Sequence, residues 1–506
     1  MIVDPPGLNI PAMRRLQELQ FDNSYAALGE SFHDRPLPAP FPDPYLVDFN
    51  PAVAELIGLH PEEAVRPEFL HIFSGQQKLP AMDPVAMLYA GHQFGVFVPQ
   101  LGDGRAMLLG EVVAPDGSRH ELQLKGAGPT QYSRGGDGRA VLRSTIREYL
   151  CSEAMHGLGI PTTRALAMVG SDLPIYREGV ETAAILTRVA PSHLRFGSFE
   201  VFYHRGQFDK VRQLADHLIA RHYPELADSA TPYLDLLAEI TRRTAGLIAR
   251  WQAVGFAHGV MNTDNMSVLG LTLDYGPFGF LDAYDPGFVC NHSDHGGRYA
   301  FHRQPQIGLW NLGCLAHAML CLIDTDEAAA AEQARAVLES TYGPHYGRSY
   351  AGLMQAKLGL REPRETDGEL VERLLALLAE GGTDYTIFFR HLADFAPGSD
   401  NRDLRDMVLD REGFDAWARD YADRLQGEGL PQAGRAAAMR AVNPKYVLRN
   451  YMAEIAIAKA VTGRDYSEIA ALRELLARPF DEHPGMERYA GLPPDWADRV
   501  RVSCSS

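Results

Sequence analysis

The chain has 506 residues, more than one small hydrophobic core requires, which predicts several domains or one large two-lobed domain with additions. Hydrophobic residues make up 46% and charged residues 22%, the ordinary balance of a soluble globular enzyme. The formal net charge of -17 argues against binding nucleic acid or an anionic membrane, because an acidic surface repels both. Any phosphate site must therefore be built from a few converging cations.

The N-terminal residues and the cysteines bear on the compartment. Residues 1–15 contain Asp4, Pro5 and Pro6 and have no apolar segment of the signal-peptide type, which favours a cytoplasmic location. No stretch approaches the roughly 20 apolar residues that span a bilayer, so we expect no membrane segment. The five cysteines are scattered and none are spaced as CxxC, which argues against a zinc site and suits a reducing compartment.

In chain order, the first predicted feature is a proline-rich stretch, 34–51, which we interpret as an extended segment wrapping the surface. A glycine-dense segment follows at 89–105. Two strands, 106–113 and 120–125, are then predicted as a hairpin, because a turn signal separates them and leucines alternate with polar residues in the second. Lys125 ends this second strand.

Helices dominate the rest of the chain. A second glycine-rich loop at 126–138 leads into a helix predicted at 140–157 by its apolar stripe. Further strands are predicted at 165–169 and 183–189. The helices predicted after them are 233–254, 310–322 and 368–380. A strand-rich first part followed by a helix-rich second part predicts an α+β fold of two lobes with a cleft between them.

Three features of the first part are candidates for nucleotide binding. The turn Gly102-Asp103-Gly104-Arg105 lets backbone amides approach a phosphate, although most short glycine turns only turn. Lys125 can reach a phosphate from the end of its strand, and Glu148 on the next helix can hold it extended. Lys125 and Glu148 also have ordinary interpretations, as an exposed strand end and a solvated helix face.

The strongest local signal is the run from His258 to Asn265, followed after two apolar runs by Asp274-Tyr275-Gly276. Protein kinases carry a metal-binding asparagine at the end of the catalytic loop and a metal-binding aspartate in a triplet after a hairpin. Asn265 and Asp274 match these two ligands. The kinase catalytic aspartate is replaced by Val260, which cannot accept a proton. Asp264 is then a candidate general base, or it helps to hold the metal shell. Loop capping is the alternative for both Asp264 and Asn265.

Two arginines are further candidates for binding the charge of a triphosphate. Arg188 follows an apolar strand, and Arg195 comes seven residues later. Guanidinium groups bind phosphate oxygens in several directions and stabilise charge that develops on a leaving group. Taken singly, each is more often a surface arginine, so their assignment depends on the rest of the pattern.

These runs together resemble the SelO family (also called YdiU), kinase-fold proteins that act as protein adenylyltransferases. The resemblance covers nearly the whole chain and is carried by the runs Tyr89–Gly95, Gln100–Ala106, Gln123–Gly128, Ser144–Tyr149, His258–Asn265, Asp274–Phe278, Gly297–Phe301 and Asn443–Tyr446. Runs of this length are far more specific than a single glycine motif.

The resemblance implies a bilobal protein-kinase-like α+β fold with an N-terminal extension and extra C-terminal helices. We divide the chain accordingly into an extension wrapping the core, an N-lobe with the nucleotide-binding loops, a helical C-lobe with the catalytic loop and metal site, and a C-terminal helical region with a cysteine-containing tail. The corresponding ranges are 1–80, 81–205, 206–430 and 431–506.

In this family ATP lies reversed relative to kinases, so that the α-phosphate faces the acceptor hydroxyl and pyrophosphate leaves. The reversal accounts for Val260, because a base at the kinase position would face the wrong phosphate. The resemblance implies Asp264 as proton acceptor, Glu148 as the support of Lys125, and Asn265 and Asp274 as ligands of Mg²⁺ or Mn²⁺. The implied nucleotide contacts are Gly102, Gly104, Arg105, Lys125, Asp137, Gly138, Arg188, Arg195 and Asp274.

The implied partners are ATP, or UTP as donor of UMP, and proteins that carry Ser, Thr or Tyr hydroxyls, with neither nucleic acid nor membrane. An atypical phosphotransferase and a non-catalytic pseudokinase scaffold remain alternatives. The joint presence of Lys125, Glu148, Asn265 and Asp274 argues against the scaffold, which needs no metal ligands.

The resemblance also draws attention to two cysteines. Eukaryotic family members carry selenocysteine near the C-terminus, and Cys504 occupies the equivalent region here. Cys290 follows the metal triplet in the segment that kinases use for activation. We hypothesise a Cys290–Cys504 disulfide that regulates activity, with two unrelated thiols as the alternative.

Overall fold

A computed structural model describes residues 13–36 and 39–503 of the chain. The chain forms two compact units, each assembled from separate segments. Unit one comprises Met1–Tyr89, Gln100–Thr145 and Thr163–His193, and unit two comprises Ala90–Pro99, Ile146–Thr162 and Leu194–Ser506. An antiparallel sheet fills unit one and helices dominate unit two, which confirms the α+β class. The kinase-like arrangement and the four-part division stay predictions.

Strands occur mainly in the first 190 residues. The strands of the described residues are, in chain order, β1 (Gln20–Phe21), β2 (His33–Asp34), β3 (Tyr45–Phe49), β4 (Ala86–Met87), β5 (Gly91–Gln93), β6 (Val96–Val98), β7 (Ala106–Val113), β8 (Arg119–Lys125), β9 (Ala140–Val141), β10 (Arg164–Tyr176), β11 (Val180–Ala190), β12 (Phe256–Ala257) and β13 (Gly279–Phe280).

Helices follow most of these strands. The α-helices of the described residues are α1 (Pro51–Leu56), α2 (Pro67–Phe73), α3 (Leu142–Gly157), α4 (Phe196–His204), α5 (Phe208–His222), α6 (Pro232–Val254), α7 (Gln304–Ile323), α8 (Glu327–Lys357), α9 (Asp367–Gly381), α10 (Tyr385–Leu392), α11 (Arg402–Asp406), α12 (Arg411–Leu425), α13 (Gln432–Arg440), α14 (Asn450–Gly463) and α15 (Ser467–Leu476).

Unit one is built on a seven-stranded sheet in the order β1-β7-β8-β11-β10-β3, with β9 beside β11. The predicted hairpin is confirmed as β7 and β8, which pair antiparallel with Ala106 opposite Lys125. Strands β10 and β11 extend beyond their predicted ranges. The register of this pair shifts between Ser171 and Pro174, where a bulge admits a proline that a regular ladder would exclude.

Within the proline-rich stretch 34–51, residues 45–49 form strand β3 of the main sheet. Its β3 pairs with β10, and Phe41 is buried with Val53, Phe69 and other residues in the core of unit one. The interpretation as a segment that wraps the surface is therefore wrong for this part. Buried aromatic and aliphatic side chains, rather than the prolines, decide where it lies.

The helices of unit two confirm the three predicted there, with ends that differ by a few residues. Helix α6 ends at a left-handed Gly255, and α9 ends at a left-handed Gly382, the usual conformation of a helix C-cap. Helix α7 begins six residues before the predicted 310. Helix α8 was not predicted, because Pro344 lies inside it.

One segment corrects the membrane expectation. Within the described residues, Phe301–Ile323 is a helical segment long and apolar enough to cross a bilayer by length and composition alone. A share of 56% of its apolar window is buried within the fold, and core helices of globular proteins pass the same test.

Candidate active site

Two glycine-rich loops of unit one pack against each other. Gly102 has a φ of +91°, and a Cβ there would lie 2.5 Å from the ring of Tyr132. A Cβ at Gly104 would lie 2.7 Å from the Tyr132 carbonyl oxygen. The Thr130 hydroxyl also donates to the backbone oxygen of Asp103 at 2.8 Å. Both positions thus require glycine, because a Cβ at either one would overlap Tyr132.

Gly138 and Asp137 lie on the second of these loops. Gly138 has a φ of +65°, and a Cβ there would overlap the backbone of Gly128. The carboxylate of Asp137 accepts two hydrogen bonds of 2.8 Å from Arg177 and one of 2.9 Å from the backbone N–H of Arg139. The Arg177 hydrogen bonds lower the pKa of Asp137. Contact of Asp137 and Gly138 with a nucleotide stays a prediction.

The polar face of β8 is buried, contrary to the half-buried strand that the sequence pattern predicts. Gln123 is fully buried, and its Nε2 donates to Asp103 Oδ2 at 3.1 Å. Arg188 is 3% exposed and donates from Nη1 to Gln123 Oε1 at 3.0 Å. Asp103 Oδ2 also accepts from the Met87 backbone N–H at 3.2 Å. Partners from neighbouring segments satisfy these polar groups, so the alternation does not mark a solvated face.

The remaining predicted phosphate ligands of this part differ in burial. Arg105 is exposed, and Lys125 is half-buried where β8 ends opposite Leu186 of β11. Both belong to unit one, whereas Glu148 belongs to unit two, where it is 2% exposed. The support of Lys125 by Glu148 stays a prediction.

The predicted catalytic loop of unit two begins just after β12. His258 stacks on Trp251, and its Nε2 lies 3.0 Å from the backbone oxygen of Leu273. Burial lowers the pKa of His258, so the ring stays neutral. Asn265 donates from Nδ2 to the backbone oxygen of Val260 at 2.9 Å. These contacts fix both ends of the loop and orient the Asn265 amide.

Asp264 is a buried carboxylate with unequal oxygens. Its residue is 7% exposed, and Oδ2 accepts from Gln93 Nε2 at 3.1 Å. Oδ1 has no hydrogen-bond partner among residues 13–36 and 39–503. A Cβ at Gly91 would lie 2.6 Å from Oδ1, so only glycine fits beside it. Burial raises the pKa of Asp264 to about 6, which suits a group that takes up a proton.

Arg195 brings the predicted residues of unit two together. Its Nη1 donates to the backbone oxygen of Asp264 at 2.7 Å and to Oδ2 of Asp274. Arg195 is 3% exposed, and Asp274 has a positive φ of 60°, a conformation that non-glycine residues rarely adopt. Such strained backbone is concentrated at functional sites. Arg195 therefore joins Asp264 and Asp274 in one cluster, and Asn265 follows Asp264 in the chain.

The β5–β6 hairpin contains part of the run Tyr89–Gly95, to which the sequence analysis assigns no role. Gln93 contacts Asp264, and the backbone N–H of Phe94 donates to Asn262 Oδ1 at 3.1 Å and to the Tyr299 hydroxyl at 3.0 Å. Tyr299 donates in turn to Asn262 Oδ1 at 2.5 Å. The long runs that contain Gln93 and Tyr299 were the available signal, but their partners lie far away in sequence.

The predicted redox pair is described only in part. Cys290 is buried, and its neighbour Asn291 forms a parallel bridge with Val502. The backbone N–H of His292 donates to the Val502 oxygen at 2.9 Å. Cys504 lies outside the described residues, so the disulfide stays a prediction.

Comparison with known proteins gives a consistent result. The family described as protein adenylyltransferase SelO matches residues 15–477. A protein nucleotidyltransferase YdiU from Thioalkalivibrio sulfidiphilus is 64% identical over 494 residues, which cover 98% of this chain and 100% of that protein. Proteins of the same name from Myxococcus xanthus and Thiobacillus denitrificans are each 58% identical over 496 residues. Each match covers 98% of this chain and 100% of the relative.

Proposed function

This chain belongs to the SelO family, and we propose that it transfers AMP from ATP to Ser, Thr or Tyr hydroxyls of proteins. The family and the relatives make the chain a nucleotidyltransferase. The finer proposal is carried by Asp264, a buried carboxylate beside Arg195 and Asp274. In the same loop Val260 stands where a kinase would carry its base. UMP from UTP is the alternative group.

The proposed reaction is one displacement at the α-phosphorus. The acceptor oxygen forms a bond to this phosphorus, and the hydroxyl proton passes to Asp264. The bond between the α-phosphorus and the bridging oxygen breaks, and pyrophosphate leaves with the electron pair. A base is most effective when its pKa lies near the working pH, and burial brings Asp264 to about 6. The hydrogen bond of Gln93 to Oδ2 directs proton uptake to Oδ1.

We expect the nucleotide to lie reversed relative to kinases in a kinase-like fold. Lys125, supported by Glu148, would bind the outer phosphates together with Arg188 and Arg195, because ammonium and guanidinium groups match phosphate charge. The packed glycine loops support this role, since the positions of Gly102, Gly104 and Gly138 have no room for a side chain and leave the backbone open to close approach. The further contacts proposed on these loops are Gly102, Gly104, Arg105, Asp137 and Gly138.

Asn265 and Asp274 carry the donor types that fit Mg²⁺ or Mn²⁺. Both offer oxygen, which hard divalent cations prefer. The Asn265 amide nitrogen is engaged with the Val260 backbone oxygen, which directs Oδ1 away from that bond. A bound cation would neutralise phosphate charge. Arg195 donates to the same Asp274 carboxylate, so it holds this ligand in place.

The cellular setting and redox control follow as proposals. We expect a cytoplasmic enzyme that acts on ATP and proteins, and neither on nucleic acid nor at a membrane, because its net charge is -17.

The bridge between Asn291 and Val502 supports a Cys290–Cys504 disulfide, since it brings the neighbouring segments together. Equal transfer rates under oxidising and reducing conditions, with no mass loss of two hydrogens, would contradict this pair.

The test of the transferred group uses two labels. The full-length chain is incubated with bacterial lysate proteins, Mg²⁺ and ATP labelled at either the α- or the γ-phosphate. We expect α-label on protein and γ-label in released pyrophosphate, with intact masses increased by one AMP. Label from γ alone would identify a phosphotransferase. Binding of ATP with neither label on protein would identify a scaffold.

A further inference from the structure

A second group of chemically active side chains lies in unit two, outside the carboxylate cluster. His92 of β5, Glu200 of α4 and Cys314 of α7 each offer a ligand atom, and these atoms lie within 4.8 Å of one another. We propose that these three side chains bind a divalent transition metal ion of the zinc type. This site is independent of the proposed AMP transfer, which uses none of the three.

The ligand types match a borderline-soft metal rather than magnesium. Imidazole nitrogen, thiolate sulfur and carboxylate oxygen are the usual ligands of zinc, at about 2.0–2.3 Å. Tetrahedral ligands at such distances lie roughly 3–4 Å apart. His92 Nδ1 is 2.6 Å from Glu200 Oε1, and the set closes within 4.8 Å, so small side-chain rotations suffice to replace this hydrogen bond by two metal bonds.

The carboxylate of the site is buried and held by an outer partner. Glu200 is fully buried, and its Oε2 accepts from the Thr263 hydroxyl at 2.5 Å. Thr263 also accepts a hydrogen bond of 2.7 Å from the backbone N–H of His92. Ligands of protein metal sites are oriented by such outer hydrogen bonds, and Thr263 leaves Oε1 directed at His92.

Further histidine rings and one arginine lie around the three proposed ligands. The His204 ring lies 6.3 Å from the His92 ring and 6.0 Å from the His317 ring, so these two histidines line the surroundings of the three ligands. A water molecule would complete the ligand set. Arg298 is the opposing charge, with its guanidinium 4.6 Å from the Trp310 ring. Binding of the metal would release the Cys314 proton, because the thiolate is the form that binds a metal.

Sequence spacing does not reveal this site. The absence of CxxC spacing excludes only zinc sites whose ligands are close in sequence. Here the three ligands come from a strand and two helices, and the fold brings them together.

Cobalt(II) is the probe that tests the sulfur ligand directly. The full-length chain is stripped of metal and titrated with Co²⁺ without nucleotide, and absorption is recorded in the near ultraviolet. We expect a thiolate-to-cobalt charge-transfer band that saturates at one equivalent and disappears when Zn²⁺ is added. Cobalt held by Asn265 and Asp274 has only oxygen ligands and gives no such band.

Two variants and a matched control decide the outcome. Cys314→Ser should abolish the band, whereas Cys321→Ser, on the same helix, should keep it. His92→Ala keeps the thiol and should weaken Co²⁺ binding by more than about a hundredfold, because loss of a ligand costs more than the roughly 10- to 100-fold loss from an outer partner. Far-ultraviolet circular dichroism verifies that each variant is folded. No band in the parent chain, or a band that persists in Cys314→Ser, would overturn the metal site.

Discussion

The two units use a buried arginine in different ways. In unit one Arg188 donates to Gln123, a neutral amide within the buried face of a sheet. In unit two Arg195 donates to Asp274 and to the backbone of Asp264, so two carboxyl groups lie near one guanidinium. The network of unit one runs from Arg188 through the Gln123 amide to Asp103, whereas in unit two burial raises the pKa of Asp264 beside the ion pair of Arg195 and Asp274. The contrast separates an arginine that is linked to a carboxylate through an amide from an arginine that is paired with a carboxylate directly.

The largest effect should come from removing the poised carboxylate. Asp264→Ala should lower AMP transfer about 10²- to 10⁴-fold, the usual contribution of a general base. ATP binding should change little, because the proposed phosphate contacts remain. The measurement is transfer of α-label to protein alongside equilibrium ATP binding. Asp209→Ala, which removes an exposed aspartate of the same unit, is the control. Transfer at the parent rate would show that Asp264 is not the base.

The second prediction compares the two arginines directly. Arg195→Met should lower the free energy of unfolding by roughly 3–5 kcal/mol, because it leaves the Asp274 carboxylate without its buried partner. Arg188→Met should cost less, roughly 1–3 kcal/mol, since a neutral amide loses one hydrogen bond. Urea unfolding of both variants measures the difference. Equal losses would remove the distinction between the two networks.

The third prediction concerns the pH dependence of stability. Burial raises the pKa of Asp264 to about 6 from the ordinary 3.8, so the folded state binds a proton more tightly than the unfolded state. Its contribution is therefore favourable at low pH and is lost as the pH rises through about 4 to 6. Asp264→Asn should be more stable than the parent above pH 6, by up to roughly 3 kcal/mol.

Urea unfolding of the Asp264→Asn variant and of the parent between pH 4 and pH 8 provides the measurement. The gain should fall below about 1 kcal/mol at pH 4, where the folded parent is almost fully protonated at Asp264 and the unfolded parent is partly protonated. A difference between the two proteins that does not vary with pH would refute a raised pKa at Asp264.

The smallest effect is expected at the surface of unit one. Asp137→Asn should lower stability by less than about 1 kcal/mol, because its ion pair with Arg177 is partly exposed. If Asp137 contacts the nucleotide, ATP binding should nevertheless weaken. Arg177→Gln, which breaks the same ion pair, is the control for loop disturbance. Equal ATP affinity in the parent and in Asp137→Asn would remove this residue from the nucleotide site.

Local patterns predicted the parts of the fold that local forces decide. The β7–β8 hairpin ending at Lys125 follows from alternation and a turn, and α6 ends at Gly255 because glycine favours the left-handed cap. Helix α8 was missed, since Pro344 is a helix breaker in a local interpretation. Packing of α8 against α6 and α7 overrides that preference.

The candidate site was predictable to a similar extent. The sequence pattern selected Asp264, Asn265, Asp274 and Arg195 as candidates, and the structure shows that Arg195 contacts both Asp264 and Asp274. The roles of these residues stay predictions. The contact of Gln93 with Asp264 was not predictable, because it joins segments 171 residues apart. Burial of Oδ1 is a property of packing, which a linear pattern does not contain.

The closeness of Gly91 to Asp264 offers a way to capture the acceptor proteins. A methyl group at position 91 would lie 2.6 Å from Oδ1 and 2.9 Å from the Asp264 Cβ, closer than packed atoms approach. Gly91→Ala therefore displaces the carboxylate without removing any charge. If Asp264 is the base that we propose, such a variant would be a substrate trap, in which nucleotide and acceptor assemble while the acceptor proton has no base to receive it.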